Sequence, residues 1–493
     1  MICSYLATEE DTFSASQVCS HWRSVLISSP SLWTRHPCHH VSRTIASLER
    51  CKSMPIRLEF DQQSSNIALE SVILSENNIS SLAIHLRYDT IPPLHQLLMF
   101  ARRSVEQLHI YSSTLWERRA EERIAHEIWS GLSSLRELFV SRYTIPIGQL
   151  TAPNLAHLAL EAAYQQNVTT RSILDMLRTC PLLETLLIAG SSFHGNPAHD
   201  HSPVSLPHLR SIELGRYEVW SELITHLRFP SNVAVGFRTL TLTDVCGNIP
   251  PAVLASIHHV LRRVDINKIT LAVPPLGHGD LELFVRFEGL QSSLELTIRG
   301  AHTDARLWNV SFGPGGVLFS HSPHIWNVRE LHIVGCSFRD SRAMDHINAA
   351  MPNLVSISFF HCEGHVFGLL TPIIPPSPPF PQLECVMILG SESELRGIAE
   401  TRSDHGVPLK TLVVGRLPEG FVYDLEDYIE TREFKYDHLE DYTELEEFVE
   451  DLRIGCPTEI LEWGNGNDIL NVWSTVGIPG PVSLNVKLVY QAG

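Results

Sequence analysis

Apolar residues along the middle of the chain fall into a recurring triplet at positions 0, +3 and +5. It appears as Ile79/Leu82/Ile84, Val105/Leu108/Ile110, Leu135/Leu138/Val140, Leu155/Leu158/Leu160, Leu183/Leu186/Ile188 and Leu209/Ile212/Leu214. It continues as Phe237/Leu240/Leu242 and Ile266/Ile269/Leu271, degenerates over 292–298 (SSLELTI), and resumes as Val328/Leu331/Ile333, Leu354/Ile357/Phe359, Leu383/Val386/Ile388 and Leu409/Leu412/Val414. Successive triplets mostly start 26 to 30 residues apart. A single triplet carries no information, because apolar residues are common; many at a near-constant interval make a repeat.

The spacing predicts one short strand per unit, entered through a turn that buries the first apolar residue. Segments between strands carry apolar residues at three- and four-residue spacing, which predicts helices at 94–103, 171–179, 253–263, 343–351 and 393–402. Breaks such as CPLLE, MPNLV and GVPLK separate each helix from the next strand. Strand alternating with helix in short units predicts an α/β fold, a parallel sheet curved into a solenoid with outer helices. The competing reading, an ordinary doubly wound domain with Leu-rich strands, has no reason to keep a steady beat.

These strands resemble the leucine-rich-repeat family, whose motif is LxxLxLxxN/C. VRELHIVGC (328–336) and LVSISFFHC (354–362) match to the last position, placing Cys336 and Cys362 where that family carries Cys. Both thiols are expected buried. The other units lack Asn or Cys there, so the repeats are divergent. A second resemblance lies at the N-terminus. The run VCSHWRSVLISSPSLWTRH (18–36) resembles the second half of an F-box, a short all-α segment with the signature V-C-x-x-W-R followed by S-L-W. Tyr5 and Leu6 match the end of that family's first helix, and TIASLERCKSMPIRLEF (44–60) is similar to the helix and strand that follow the F-box in large fungal F-box families. Met1 falls inside the family's first-helix run, so the resemblance implies either a chain truncated within the F-box or a misplaced start. Residues 18–33 are expected to form two short helices, with Val18, Trp22 and Val25 on one helical stripe and with Trp22 and Trp33 packed against Val18, Leu26 or the first repeat.

The F-box resemblance implies docking to a Skp-type adaptor, and through it a cullin, by Tyr5, Leu6, Val18, Cys19, Trp22, Arg23, Leu32 and Trp33. The implied function is substrate recognition for a Skp–cullin–F-box ubiquitin ligase, with an unknown protein target; the alternative is a leucine-rich-repeat scaffold with no ligase association. In each strand the +2, +4 and +6 positions should face the open, concave side. That rule gives His109, Tyr111, Phe139, His157, Glu213, His332 and Phe360 as the target-binding surface.

Composition narrows the alternatives. With 37 Lys+Arg against 55 Asp+Glu the net charge is −18, which argues against a nucleic-acid partner. From Glu419 to Asp451 there are 14 acids and two bases, Arg432 and Lys435, so 12 of the 18 excess charges sit in one segment. Its aromatics argue against a purely solvated tail. Leu445, Phe448, Val449 and Leu452 stand at helical spacing there, predicting an amphipathic helix that closes the repeats. The expected organisation is a partial F-box and linker helix over 1–60, repeats over 61–415, and an acidic, aromatic capping region over 416–493.

The ten cysteines include no CxxC pair, and the N-terminus shows no secretory pattern. No apolar run approaches the roughly 18 residues of a membrane span. A cytoplasmic or nuclear protein is expected. No nucleophile elbow, HExxH, P-loop or dinucleotide fingerprint is found, so neither catalysis nor a cofactor is expected. His194, His199, Asp200, His201 and His208 lie close in sequence, but in a Pro/Gly/Ser-rich connection where solvated His is ordinary, so no metal site is assigned. TPIIPPSPPFP (371–381) reads as a rigid connection replacing one repeat helix.

Overall fold

The computed structural model describes residues 9–38, 40–60, 64, 66–74, 78–86, 91–112, 129–143, 145–161, 169–189, 202–215, 223–241, 251–263, 265–272, 281–289, 292–300, 323–334, 337–338, 347–348, 350–360, 362–364, 380–389, 395–415 and 448–454. The chain divides into two units, Met1–Ala234 and Val235–Gly493.

The first unit opens with helices α1 (Glu9–Val18) and α2 (Ser20–Ile27), a 3-10 turn at Pro30–Trp33, and strand β1 (Arg35–Pro37). Strands and helices then alternate: α3 (Val41–Cys51), β2 (Ile56–Phe60), α4 (Asn66–Leu74), β3 (Ile79–Leu86), α5 (Ile91–Ala101) and β4 (Gln107–Ser112). Next come β5 (Glu137–Ser141), β6 (His157–Glu161), α6 (Thr170–Arg178), β7 (Thr185–Ala189), β8 (Val204–Ser205), β9 (Ser211–Gly215) and β10 (Leu227–Arg228). The strands β1 to β7 and then β9 pair in chain order, every pair parallel. β8 and β10 form a separate short parallel pair.

The triplets are the core of this sheet. Val105, Leu108, Ile110, Leu135, Leu138 and Val140 are all 0% exposed, and the flanking triplets in the unit are no more than 3% exposed. Each fully buried aliphatic contributes about 1.5–3 kcal/mol relative to exposure, so the periodic set is the main stabilising term. A backbone device repeats with it. The carbonyl of Glu106 accepts from the amides of Arg136 and Glu137, that of Arg136 from Ala156 and His157, that of Ala156 from Glu184 and Thr185, and that of Glu184 from Arg210 and Ser211. The turn before each strand is thus tied to the turn before the next. Helix α6 shows why the intervening segments are helical. Thr169 and Ser172 form a capping box, and Ile173, Leu174 and Leu177 bury one face while Arg171 and Asp175 stay exposed.

The second unit contains β11 (Ala234–Thr241), α7 (Pro251–Leu261), β12 (Ile266–Ala272), β13 (Leu281–Gly289), β14 (Ser293–Gly300), β15 (Glu330–Val334), β16 (Ser337–Phe338), β17 (Ser356–Phe360), β18 (Glu363–Gly364), β19 (Cys385–Leu389), α8 (Leu395–Asp404), β20 (Leu409–Gly415) and β21 (Val449–Ile454). Strands β12, β15, β17, β19, β20 and β21 pair in that order and in parallel. β16 and β18 form a short parallel pair of their own. The same tie recurs here: the Arg329 carbonyl accepts from Val355 and Ser356, that of Val355 from Glu384 and Cys385, and that of Glu384 from Lys410 and Thr411.

Two expectations fail in this unit. The stretch 292–298, expected as a degenerate unit of the parallel repeat, lies from residue 293 in β14, which pairs antiparallel with β13, itself antiparallel to β12. The sheet is therefore mostly, not wholly, parallel. Leu294, Leu296, Val285 and Phe287 alternate inward, and the Gly289 amide donates to the Ser292 carbonyl at the end of the pair. The helix expected over 445–452 is also absent at its C-terminal end, where Val449–Ile454 is a strand paired with β20. Val449, Leu452 and Ile454 repeat the 0, +3, +5 spacing, and strand addition buries Val449 better than an isolated turn of helix would. The helices expected at 94–103, 171–179, 253–263 and 393–402 are α5, α6, α7 and α8, with shifts of one to three residues. Most of 343–351, all of 371–379 and most of the acidic segment lie outside the described residues.

Candidate functional site

Two surfaces were expected to act: the helical N-terminus and the open face of the sheet. At the N-terminus, α1 and α2 are separate helices. Cys19 is extended (φ −158°, ψ 169°) and its Sγ accepts the Trp22 backbone N–H at 3.4 Å, capping α2. Val18, Trp22 and Val25 therefore do not share one helical stripe, because the chain turns between the first and the other two. Val18 is 71% exposed and Val25 38%, while Trp22 and Leu32 are half-buried. Arg23 is exposed and its Nε donates to the Ser16 carbonyl at 3.0 Å, clamping α2 onto α1. Tyr5 and Leu6 lie outside the described residues.

Trp33 needs a correction. It was expected both among the docking residues and packed against Leu26; it is 1% exposed at the centre of the helical segment, so only the packing is met. Its Nε1 donates to the Leu26 carbonyl at 2.8 Å. Phe13 of α1 meets it edge-on at 5.2 Å, and the Arg50 guanidinium of α3 lies 4.4 Å from its ring centroid. The ring joins three helices, and that enclosure is what removes it from the surface.

On the sheet of the first unit, the register sets residues side by side across strands. His109 lies between Ala83 and Phe139, Tyr111 between His85 and Ser141, and Glu137 between Gln107 and His157. An aromatic cluster results. His85 and Tyr111 stack at 4.6 Å and 11°, Tyr111 meets Phe139 at 5.0 Å, and His109 meets Phe139 edge-on at 5.9 Å. Glu137 links to it, with Oε1 2.9 Å from His109 Nε2 and Oε2 accepting from Gln107 Nε2 at 3.0 Å. That hydrogen bond from His109 holds the Glu137 carboxyl below its ordinary range. Burial, and then the nearby charges of Glu59, Glu137 and Glu161, push the Tyr111 hydroxyl up to about 12.

His109, Tyr111, His157 and Glu213 reach the open face as half-exposed side chains, and His157 Nδ1 lies 3.0 Å from Thr185 Oγ1. Phe139 departs from the expectation: it is 7% exposed, because His109 and Tyr111 pack over its ring. In the second unit His332 is 5% exposed, not open. Its register neighbours Thr270 and Ser358 are equally covered, at 3% and 2%, so the sheet face is closed to solvent there. The side-chain surroundings of Phe360 lie outside the described residues. Cys362, expected buried, is half-exposed with Sγ donating to the Ile333 carbonyl at 3.5 Å; Cys336 lies outside the described residues. Of the histidine-rich run only His208 is described, exposed. Among the described residues no cluster could hold a metal ion, and no helix is long and apolar enough to cross a membrane.

Comparison with known proteins bears on the N-terminal surface. Residues 1–39 match the F-box-like family. The chain thus carries an F-box-like segment that spans α1, α2, the 3-10 turn and β1. No curated protein matches the sequence. Among solved structures, a chain of the Rad7 and Elc1 complex in yeast aligns with 14% identity and a TM-score of 0.31, covering 73% of this chain and 86% of that one. That likeness is too weak to equate the two folds.

Sequence reasoning missed the ring-stacked floor of the sheet face and, for Trp33, the contacts with Phe13 and Arg50 that add to the expected packing on Leu26. His85 is at a +6 position and could have been found by the rule that found Tyr111. The contacts of Trp33 come from α1 and α3, and no local spacing announces them.

Proposed function

We propose that the protein is a substrate-recognition subunit of a Skp–cullin–F-box ubiquitin ligase, marking targets for ubiquitin-dependent degradation in the cytoplasm or nucleus. The F-box-like match over residues 1–39 carries the proposal. The exposed apolar residues Val18, Val25 and Ile27 on the two short helices support it, since exposed apolar side chains grouped on a small segment suit a protein partner. The units behind it are divergent leucine-rich repeats in this reading, holding a target on the open face of the sheet. No chemistry is assigned to the chain itself, because ubiquitin transfer belongs to other subunits. Co-expression with a Skp-type adaptor and a cullin tests this: the three should elute together on gel filtration. Elution of the chain apart from both would sink the ligase reading and leave an interaction scaffold.

A further inference from the structure

The open face of the first unit carries more than exposed surface; it has a ring floor and a one-sided charge. The strands β1 to β9 place four carboxylates on this face, Glu59, Glu137, Glu161 and Glu213, against two guanidiniums, Arg35 and Arg57, both at its β1–β2 edge. Three of the four lie near enough to Tyr111 to raise the cost of ionising it. The rings of His85, His109, Tyr111 and Phe139 sit between these carboxylates in adjacent strands. His109 and Glu137 keep 24% and 30% of their side chains exposed, so the cluster can be reached.

We propose that this face captures a cationic segment of the target polypeptide, with an Arg or Lys side chain laid against the His85 ring, which Tyr111 supports from its other side, and countered by Glu59, Glu137 and Glu161. The inference rests on the proposed receptor role and names the chemistry of what is received. Aromatic faces attract cations through their quadrupole, and the attraction grows as water is displaced. Carboxylates on rigid strands add charge-assisted hydrogen bonds and, in a guanidinium, geometric selectivity. An acidic segment would meet like charges on four strands and be rejected.

The test uses the full chain against an immobilised decapeptide library sorted into basic, neutral and acidic pools. Retention should be confined to the basic pools and fall as salt rises from low to physiological ionic strength. Glu161→Gln and Glu59→Gln together should weaken retention by about tenfold, and Tyr111→Ala by at least as much, whereas Tyr111→Phe should retain most of it. Melting curves of each variant identify any that merely unfold; the conservative Gln pair keeps the test decisive. Equal retention on neutral or acidic pools, or no retention on any, overturns the inference. Adaptor binding in the same preparations separates the two readings. A chain that holds the adaptor yet ignores peptide charge loses this inference alone, and one that captures basic peptides without the adaptor loses the ligase role alone.

Discussion

Replacing Trp33 probes the F-box-like segment through its own core. The ring is buried and held by one hydrogen bond, to the Leu26 carbonyl, by an edge-on contact with Phe13 and by the Arg50 guanidinium. Trp33→Phe keeps an aromatic ring for Phe13 and Arg50 and deletes the donor. The Leu26 carbonyl then keeps only the Ser29 amide, and the lost hydrogen bond costs about 0.5–1.5 kcal/mol. Trp33→Ala removes the ring as well and should cost about 3–5 kcal/mol. The chain has two units, so a single melting midpoint is a blunt readout. Site-resolved alkylation is sharper, because Cys38 and Cys51 flank the segment and are both 0% exposed. If opening of this segment exposes them, Trp33→Ala should speed their labelling on the order of a hundredfold or more, and Trp33→Phe about tenfold. Labelling of Cys180, in the repeats of the same unit and 0% exposed, should change far less. A Trp33→Ala chain that labels Cys38 and Cys51 at the parent rate would refute the placement of Trp33 as core. Were adaptor binding alone to fail in that chain, Trp33 would belong to the surface after all.

Other outcomes follow from individual contacts. Arg402 of α8 is 0% exposed, with Nη2 donating to the carbonyls of Phe380 and Leu383 at 3.1 Å each, and burial lowers its guanidinium to about 10. Arg402→Met keeps the stem but removes the guanidinium donor from both carbonyls, of which Phe380 retains the Leu383 amide, so denaturant titration should show a loss of about 1–3 kcal/mol from the second unit. Gly289→Ala would set a Cβ 2.6 Å from the Asp265 carbonyl oxygen, and should lower stability by on the order of 1–3 kcal/mol in the same titration. Glu137 is held below its ordinary value of 4.5 by His109, so its stabilising contribution is full above 4.5 and fades as pH falls through the lowered folded value. Thermal melts across that acidic window should show a shallower pH slope for Glu137→Gln than for the parent. Exposed Cys19 should alkylate quickly in the native chain, and Cys180, whose thiol burial pushes up, slowly.

Most of the sheet was readable from apolar spacing alone, because a strand that buries alternate residues and a turn that buries one more leave a fixed signature. The triplets at Val105, Leu135 and Leu155 each end on the strand the spacing names. The same signature at Val449, Leu452 and Ile454 was obscured by surrounding acids, whose density made a helical repeat of the apolar positions look equally good. The β12–β13–β14 reversal was not legible, since alternation shows a strand but not the direction in which it pairs. At the candidate surfaces, alternation found the open face of the first unit, with His109, Tyr111, His157 and Glu213 reaching it. It could not show that Phe139 lies under two neighbouring rings or that His332 is covered, because those outcomes depend on contacts between strands. Val18 and Trp22 were misassigned to one stripe for a similar reason: a cap made by Cys19 breaks the helix without Gly or Pro to announce it.

The proposed receptor role depends on what residues 1–39 bind. Titration of the purified chain with a Skp-type adaptor measures it most directly, comparing the parent with a Val18→Asp, Val25→Asp double variant whose changed side chains are exposed in the free chain. The account predicts a saturable complex with the parent, and loss of at least about tenfold in affinity for the variant with its melting curve unchanged. Absence of binding by the well-folded parent, or equal binding by both, would contradict it.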